Sequence, residues 1–555
     1  MARILALLAF LLLLAPSAAR SGETTIPLDG VVPEGEETHF FLPFDVPEGI
    51  AEIEVRHDDL SATNILDWGL DDPNGFRGWG GGNVEPAIVG LEAASRSYIP
   101  GPLPAGQWEV VVGKAKVREL PARYSVQVIL RTAPTLAPQT ERAPYVAPPA
   151  LKTGARWYAG DLHVHSRESG DARPTIGEIL DFAASRGLDF VLLSEHNTTS
   201  QLTFYNAEQA AHPDVLLLPG AEFTTYAGHA NLIGTTEWVD HRIGVRGATI
   251  DAAIRNVHDQ GGLFSINHPL LNIGDLCIGC GWHHVVEPAA IDAVEVQTGI
   301  FPGTPFWEDL VAQGSHAAAV GGSDDHNGGQ DMGPGDSVIG TPTTLVYADE
   351  LSVAAILQGI RDARTVVKVN GPQGPMIETD LSGERTGDTV AADHATLRAT
   401  VTGGSGATLR TIKNREIVDE VAVDSDRFVR EMAVDAPSSG DDRYRHELVD
   451  TAKHPLTIAS YVWLRRAMAS PTPTDTMVPS PIPTVTQPVS KACTGDCDAN
   501  DCVEINELII GVNISLGTAE LSHCDAFDRD GSGGVEVNEL VTAVNASLNG
   551  CQQQI

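Results

Sequence analysis

The sequence is poor in basic residues and in long apolar runs, and each shortage argues against a class of protein. Lysine and arginine total 36 against 74 aspartates and glutamates, so the net charge is −38 at pH 7. Such an excess of acid argues against binding to nucleic acid or to an anionic membrane. After residue 20, no apolar stretch is long enough to cross a bilayer. No Gly-x-Ser-x-Gly motif accompanies the histidine motifs of the central block, so nothing suggests a serine nucleophile there.

Cysteine is also scarce, and its seven copies are placed unevenly. Two lie in mid-chain, Cys277 and Cys280, and the other five lie near the end, at Cys493, Cys497, Cys502, Cys524 and Cys551. In an oxidising compartment most of them should form disulfides, and the odd number leaves at least one thiol unpaired within the chain. The pair at 277 and 280 could be half a zinc knuckle. Because no second pair follows it, a small disulfide loop is the preferred interpretation.

The N-terminus carries the pattern of an export signal. Arg3 precedes an apolar run over 4–14, and small residues follow up to Ala19. A charged start, an apolar run too short to span a bilayer and small residues at its end predict a signal peptide over 1–19. The alternative is a single N-terminal anchor helix. We expect a secreted, periplasmic or cell-surface protein with no later membrane span.

A chain of 555 residues is too long for one hydrophobic core, so several domains are expected. Short alternating apolar and polar runs separated by glycine and proline turns indicate β-sandwich modules, whereas buried-looking strands alternating with helical stretches indicate an α/β fold. The predicted segments are a β-sandwich at 20–132, a linker at 133–152, an α/β metallohydrolase domain at 153–370, a β-sandwich-like domain at 371–466, a proline- and threonine-rich linker at 467–491 and a small α-helical calcium-loop domain at 492–555.

The α/β segment opens with a histidine pair, His163 and His165. In a strand, residues two apart point the same way, so both imidazoles can bind one ion. More potential ligands follow the later strand-like runs, at Glu195, His196, Glu222, His229, His268, Asp324 and His326. Because the carboxyl ends of parallel strands converge on one face, this series predicts a metal site. Imidazoles and carboxylates suit zinc, manganese or iron, and such ions suit hydrolysis.

Six motifs in this order resemble a known superfamily. They are Asp-Leu-His-x-His-Ser at 161–166, Glu-His-Asn at 195–197, Gly-Ala-Glu at 220–222, Gly-His-Ala at 228–230, Asn-His-Pro at 267–269 and Gly-Gly-Ser-Asp-x-His at 321–326. Over about 154–369 the chain is similar to the PHP (polymerase and histidinol phosphatase) metallohydrolases, and within them to the CehA/McbA branch. The resemblance implies a distorted (β/α)7 barrel that holds two or three divalent transition metals.

The resemblance also implies three ion positions that share one bridging carboxylate. The first would be formed by His163, His165, Glu222 and Asp324. The second would be formed by Glu222, His229 and His268. The third would be formed by His196, His326 and Asp171, where the family often has a histidine in place of the aspartate. Glu195 replaces an aspartate common in the second motif and is kept among the candidate ligands. The implied catalytic residues are His163, His165, Glu222, Asp324 and His326.

The expected reaction is attack by a metal-bound hydroxide on phosphorus or on a carbonyl carbon of a small-molecule ester. A phosphoester is slightly favoured over a carbamate or carboxylic ester, since phosphoester hydrolysis prevails in the superfamily. Arg167 and Arg173 are candidate phosphate ligands, although a solvated role is expected for both. The alternative is a non-catalytic metal-binding surface or scaffold protein that is tethered through its C-terminal tail.

The tail contains a repeated unit, in which 503–508 recurs as 535–540. Each unit is preceded by residues with the spacing of a calcium loop. The first loop offers Asp496, Asp498, Asn500, Cys502 and Glu507. The second offers Asp528, Asp530, Ser532, Gly534 and Glu539. The pair resembles dockerin repeats or an EF-hand pair, which implies bound calcium and a cohesin-like or cell-surface partner. The alternative to a docking role is a tail that calcium stabilises and that has a purely structural function.

Overall fold

A computed structural model describes residues 22–333, 337–467, 493–497, 503–516, 519–529 and 531–549. The chain divides into two compact units, Met1–Ala469 and Ser470–Ile555. The predicted signal peptide at 1–19 lies outside the described residues, as does the predicted linker from residue 468 onward. Four of the predicted calcium ligands also lie outside them, namely Asp498, Asn500, Cys502 and Asp530.

The first unit begins with an all-β region, called here the N-terminal β-domain (residues 22–132). Its strands are β1 (Glu23–Pro27), β2 (Gly30–Val31), β3 (His39–Val46), β4 (Glu52–Asp58), β5 (Ile65–Asp72), β6 (Gly75–Gly81), β7 (Ala87–Gly90), β8 (Gly106–Lys116) and β9 (Arg123–Arg131). They form two antiparallel sheets, ordered β1-β9-β4-β7 and β3-β8-β5-β6, with β2 on β9. Inward side chains of both sheets, such as Ile53 and Trp108, share one core because successive strand residues alternate between faces.

The central region alternates strands with helices. Its elements are β10 (Lys152–Val164), α1 (Ile176–Arg186), β11 (Phe190–Leu193), α2 (Tyr205–Ala211), β12 (Leu216–Leu218), β13 (Glu222–Thr225), β14 (Gly228–Ile233), α3 (Ile250–Asp259), β15 (Leu263–Ile266), β16 (Ala293–Thr298), β17 (Phe301–Pro302), α4 (Thr304–Ala312), β18 (Ala318–Gly322), β19 (Thr343–Leu351), α5 (Val353–Arg361) and β20 (Thr365–Lys368). Strands β11, β12 and β15 are entirely buried, as their unbroken apolar runs predict. Helix α1 begins with a capping box between Thr175 and Glu178.

The central strands belong to two sheets. One contains β12-β11-β10-β19-β20, and the other contains β13-β14-β15-β16-β17 with β18 on β16. Isolated parallel bridges, Val164↔Asp325 and His196↔Glu222, join segments of the two. Among the described residues, these strands form two sheets and not the closed barrel that was predicted. The antiparallel pairs β13/β14 and β14/β15 interrupt the parallel order.

The rest of the first unit is again all-β. Its strands are β21 (Met376–Leu381), β22 (Glu384–Arg385), β23 (Thr389–Ala391), β24 (His394–Thr402), β25 (Thr408–Lys413), β26 (Glu416–Ala422), β27 (Arg427–Asp435), β28 (Asp441–Val449), β29 (Pro455–Ala459) and β30 (Val462–Arg465). Strand β29 pairs with β20, so the first central sheet continues as β20-β29-β28-β25-β26. The buried ion pair between Arg445 and Glu308, with 2.7 Å between Nη2 and Oε1, links β28 to α4. Sheet and core thus continue across the predicted boundary at residue 370.

The second unit contains two described helices, α6 (Ile505–Ser515) and α7 (Val537–Asn549). The Phe527 ring is fully buried and forms the centre of a small core. A disulfide joins Cys497 to Cys524.

Within the described part of the chain, no helix is both long and apolar enough to cross a membrane.

Candidate metal centre

The predicted ligands converge at the ends of the central strands. His163 lies near the end of β10, His165 follows that strand, and Glu222 begins β13. His268 and Asp324 follow β15 and β18 within two residues. The two sheets therefore deliver, to one place, side chains that are far apart in sequence. Both imidazoles of the first pair are completely buried.

One group of donor atoms consists of His163, His165 and Asp324. Asp324 Oδ1 lies 3.2 Å from His163 Nε2 and 3.1 Å from His165 Nε2. Glu222 Oε1 lies 3.2 Å from the same His163 nitrogen. These four side chains are the ones predicted for the first ion position.

A second group consists of His163, Glu222 and His268. Glu222 Oε1 lies 3.4 Å from His268 Nε2 and 3.5 Å from His229 Nδ1. The carboxylate of Glu222 thus stands between the first group and the pair predicted for the second ion. The amide of Asn267 donates a 2.8 Å hydrogen bond to Glu222 Oε1 and helps to fix its orientation.

The third group consists of His165, His196 and His326. Asp171 approaches it from the cleft, with Oδ2 at 3.3 Å from His196 Nε2 and 3.7 Å from His326 Nε2. The predicted third-position residues are therefore neighbours. The Asp171 side chain is 59% exposed, whereas the histidines and Glu222 of the other two positions are buried.

The donor set fits divalent ions. The Nε2 atoms of His163 and His165 are buried without a hydrogen-bond partner among the described residues. On the other side of each ring, His163 Nδ1 lies 2.8 Å from Glu295 Oε1, and His165 Nδ1 lies 2.8 Å from Ser169 Oγ. A ligand histidine usually has its second nitrogen fixed by such an outer partner, which sets the tautomer and the ring direction. Nitrogen and oxygen donors in this number suit zinc, manganese or iron.

Charge within the cluster shifts the pKa values of its members. Burial alone would raise the pKa of Glu222, but His163, His229 and His196 hold it well below the usual range. Burial and the nearby His326 lower the pKa of His165 to about 3, so its imidazole is neutral. At His165, a neutral imidazole beside an ionised carboxylate is the protonation state that binds a metal ion. The carboxylates around His163, His196 and His268 instead outweigh burial and raise the pKa of each of these imidazoles.

Two supporting carboxylates escaped prediction. Glu295 holds His163 and also accepts a 2.9 Å hydrogen bond from the backbone N–H of His268. Asp161 accepts hydrogen bonds from the backbone N–H groups of His163, Ser323 and Gly340, at 3.1, 3.0 and 2.7 Å. A lone carboxylate within the apolar strand β16 was a signal for Glu295, because a buried charge needs a specific partner.

Glu195 does not join the cluster. Its carboxylate is fully buried and accepts hydrogen bonds from Ser166, at 2.6 Å from Oγ and at 3.1 Å from the backbone nitrogen. The next residue, His196, points into the cluster. In extended chain, adjacent side chains point to opposite sides, so both could not face the same ion. Burial raises the pKa of Glu195 to about 8.

The backbone is strained beside the ligands. Asn197, His268 and Asp324 have φ values of 53°, 26° and 59°, which non-glycine residues rarely adopt. Such conformations collect at functional sites, where the surrounding structure enforces them.

The cluster lies in a cleft of about 640 Å³. One wall belongs to the N-terminal β-domain, which is tied to the loop that carries Asp171. The hydroxyl of Ser97 donates to the backbone oxygen of Glu168 at 2.7 Å, and the Ser97 backbone N–H donates to Glu168 Oε2 at 3.2 Å. The candidate phosphate ligands Arg167 and Arg173 do not line this cleft.

A disulfide between Cys277 and Cys280 closes a small loop at the cleft, which confirms the predicted disulfide. The two sulfur atoms lie close to a ring nitrogen of His229. The segment directly before Cys277 is tied to the N-terminal β-domain, because Arg118 Nη2 lies 2.8 Å from Asp275 Oδ1.

In the second unit, the two repeats share one hydrogen-bond pattern. Glu507 accepts bonds from the backbone N–H groups of Cys497 and Glu504, at 2.7 and 2.9 Å. Glu539 accepts the equivalent bonds from Arg529 and Glu536, at 2.6 and 3.0 Å. The last predicted calcium ligand of each loop thus closes that loop.

The remaining described calcium candidates are Asp496, Asp528, Ser532 and Gly534. Asp528 accepts 2.9 Å bonds from the backbone N–H groups of Ser532 and Gly533. Calcium binding itself stays a prediction.

No protein-family model and no curated protein sequence matches the chain. Among solved structures, it is similar to a two-domain protein from Bacteroides vulgatus that contains a predicted PHP-like metal-dependent phosphoesterase, at 19% identity and a TM-score of 0.34. That match covers 58% of this chain and 98% of the other. An engineered protein matches at 12% identity and a TM-score of 0.14, over 51% and 49% of the two chains. Because both TM-scores are low, any functional assignment depends on the geometry of the site.

Proposed function

We propose that this protein is an exported, metal-dependent hydrolase of the PHP type that cleaves a small-molecule phosphoester. One observation carries the proposal. The buried, unpartnered Nε2 atoms of His163 and His165 converge on the carboxylates of Glu222 and Asp324 at the inner end of an open cleft. Structural metal sites are closed by protein ligands, whereas catalytic sites leave room for water and substrate.

Each side chain has a distinct task in this proposal. Divalent ions, when bound by these residues, would supply Lewis acidity and would lower the pKa of a bound water towards about 7. The Glu222 carboxylate lies between the two donor groups, so its negative charge would contribute to both ion positions. Glu295 and Ser169 hold the two buried imidazoles in the tautomer that presents Nε2. Asp171, His196 and His326 border the cleft, where the substrate enters.

The experiment is metal analysis combined with hydrolysis of aryl phosphomonoester, phosphodiester, carbamate and carboxylic ester substrates. Wild-type protein should contain two or more transition ions per chain and cleave a phosphoester, and a His163→Ala variant should lose both. His394→Ala is the matched control, because that imidazole is 83% exposed and remote in sequence from the cluster. If the wild type retained at most calcium and cleaved nothing, the alternative of a non-catalytic scaffold would replace this proposal.

A second role is proposed for the tail, namely docking to a cohesin-like or cell-surface protein. Both helices expose an apolar stripe with helical spacing. It is formed by Ile505, Ile509 and Val512 in α6 with Leu516 directly after it, and by Val537, Val541 and Val544 in α7. All seven side chains are between 42% and 74% exposed. The stripes occupy equivalent positions in the two repeats, and exposed apolar patches of this kind mark interaction surfaces.

Calcium should hold these repeats in their folded form. Replacing both Glu507 and Glu539 with glutamine should abolish calcium binding to the full-length protein, since each supplies the last carboxylate of its loop. Isothermal titration calorimetry measures the stoichiometry. Glu520→Gln, at an exposed position between the repeats, should leave it unchanged. Unaltered calcium binding in the double variant would show that the loops are not the calcium sites.

A further inference from the structure

The outer part of the cleft is lined by apolar side chains from three separate segments. They form what we call the apolar mouth, which consists of Val84, Ile273, Leu276 and Phe301. Val84 precedes β7 of the N-terminal β-domain, Phe301 lies in β17, and the other two lie in the segment directly before Cys277. Val84 is 88% exposed and Leu276 is 86% exposed.

These exposed side chains are held in place. The segment that carries Ile273 and Leu276 runs directly into the turn that the disulfide between Cys277 and Cys280 closes. Asp275 of this segment pairs with Arg118 at 2.8 Å and with Lys116 at 3.5 Å, and both cations belong to the N-terminal β-domain. Large apolar side chains kept in water at a cleft entrance gain free energy when an apolar ligand covers them.

The same cleft offers no free cation among its described lining residues. Arg96 is the one lysine or arginine in that lining, and each of its nitrogens is already bound. Nε pairs with Glu85 at 2.9 Å, Nη2 donates to Asn83 at 3.1 Å, and Nη1 donates to the backbone oxygen of Ala172 at 3.3 Å. Outside the metal donors, the cleft also contains the carboxylate of Asp67. An anionic group in the outer cleft would therefore lack a charged partner.

We propose that the apolar mouth binds an uncharged, apolar substituent of the ester whose reacting centre lies at the metal cluster. The substrate class is then a phosphodiester with one negative charge and an aromatic or aliphatic substituent. Esters that would place a second anionic group in the outer cleft are not expected to be substrates. This inference rests on the proposed hydrolase function and specifies its substrate.

The test uses two ligands of equal charge. Diphenyl phosphate and dimethyl phosphate are titrated into the full-length, metal-loaded protein by calorimetry. Diphenyl phosphate should bind at least about tenfold more tightly, because burying part of an aromatic ring is worth that much. In Leu276→Asp and in Val84→Asp, the preference should fall to about threefold or less. Val285→Asp, at a residue that is 90% exposed and outside the cleft lining, should keep the full preference.

A wild-type preference below about threefold, or a preference that survives in Leu276→Asp, would overturn the inference. Metal content and hydrolysis of bis(4-nitrophenyl) phosphate, measured on the same preparations, separate this failure from that of the proposed function. A protein that binds metal and cleaves the ester without an aromatic preference contradicts the apolar mouth alone. A protein that neither binds transition metal nor cleaves the ester contradicts the proposed hydrolase function. In that case the ratio of the affinities for diphenyl and dimethyl phosphate still tests whether the apolar mouth binds an aromatic group.

Discussion

Replacing Glu222 with glutamine is expected to remove metal from two positions and to abolish hydrolysis. The carboxylate lies 3.2 Å from His163 Nε2, 3.4 Å from His268 Nε2 and 3.5 Å from His229 Nδ1. Glutamine has nearly the same shape but carries no charge, so three imidazoles lose the anion around which they are arranged. Changes in outer partners of metal ligands already cost about 10–100-fold in metal affinity or activity, so this change should exceed about 100-fold.

Metal content per chain and kcat for the best ester substrate are the two measurements. Glu141→Gln is the matched control, because it makes the same chemical change at an exposed position between the N-terminal β-domain and β10. Wild-type metal content in Glu222→Gln would contradict the assignment of a bridging carboxylate. Normal metal content with lost activity would instead place Glu222 in the chemistry and not in metal binding.

The pattern of strands and ligands was predictable because each has a local signature. Unbroken apolar runs mark β11 and β12 as buried strands, and the ligand motifs at their ends need no knowledge of pairing. The strand partners were not predictable. The sheet continues from β20 to β29, across some ninety residues of sequence. That pairing depends on tertiary packing, which the apolar periodicity of a local segment does not predict.

The supporting partners of the metal ligands were equally hidden. His163 and Glu295 are separated by 132 residues but lie 2.8 Å apart. The wall contributed by the N-terminal β-domain was missed for the same reason. Ser97 reaches Glu168 over 71 residues, and a serine between Arg96 and Tyr98 has no sequence signal for that role. Sequence shows which residue types can bind a metal, whereas the fold decides which groups support them.

Glu195 is where motif and structure give opposite expectations, and Glu195→Gln distinguishes them. As a metal ligand, Glu195 would be essential for metal binding. As the buried acid seen in the structure, it is replaceable by its neutral counterpart, which keeps an oxygen to accept hydrogen bonds from Ser166. We therefore expect Glu195→Gln to retain the wild-type metal content. Loss of an ion in this variant would restore Glu195 to the ligands.

The same substitution should change how stability depends on pH. Burial raises the pKa of Glu195 from 4.5 to about 8 in the folded protein. Below pH 4.5 the side chain is protonated in both states, so it has little effect on the free energy of unfolding. Between pH 4.5 and about 8 only the unfolded chain ionises there, so the wild type loses stability relative to the variant, by up to about 1.4 kcal/mol per pH unit.

Urea unfolding of metal-free protein at several values between pH 5 and pH 8 measures this difference, and Glu141→Gln should show none. Metal must be absent, because a nearby cation would favour the ionised carboxylate and narrow the window. A constant difference between Glu195→Gln and wild type over that range would mean that Glu195 is already ionised in the fold. An ionised, fully buried carboxylate needs a cation beside it, but the groups that hydrogen-bond to Glu195, which belong to Ser166 and Ser169, are neutral. That result would contradict the buried, protonated state of Glu195 on which this prediction depends.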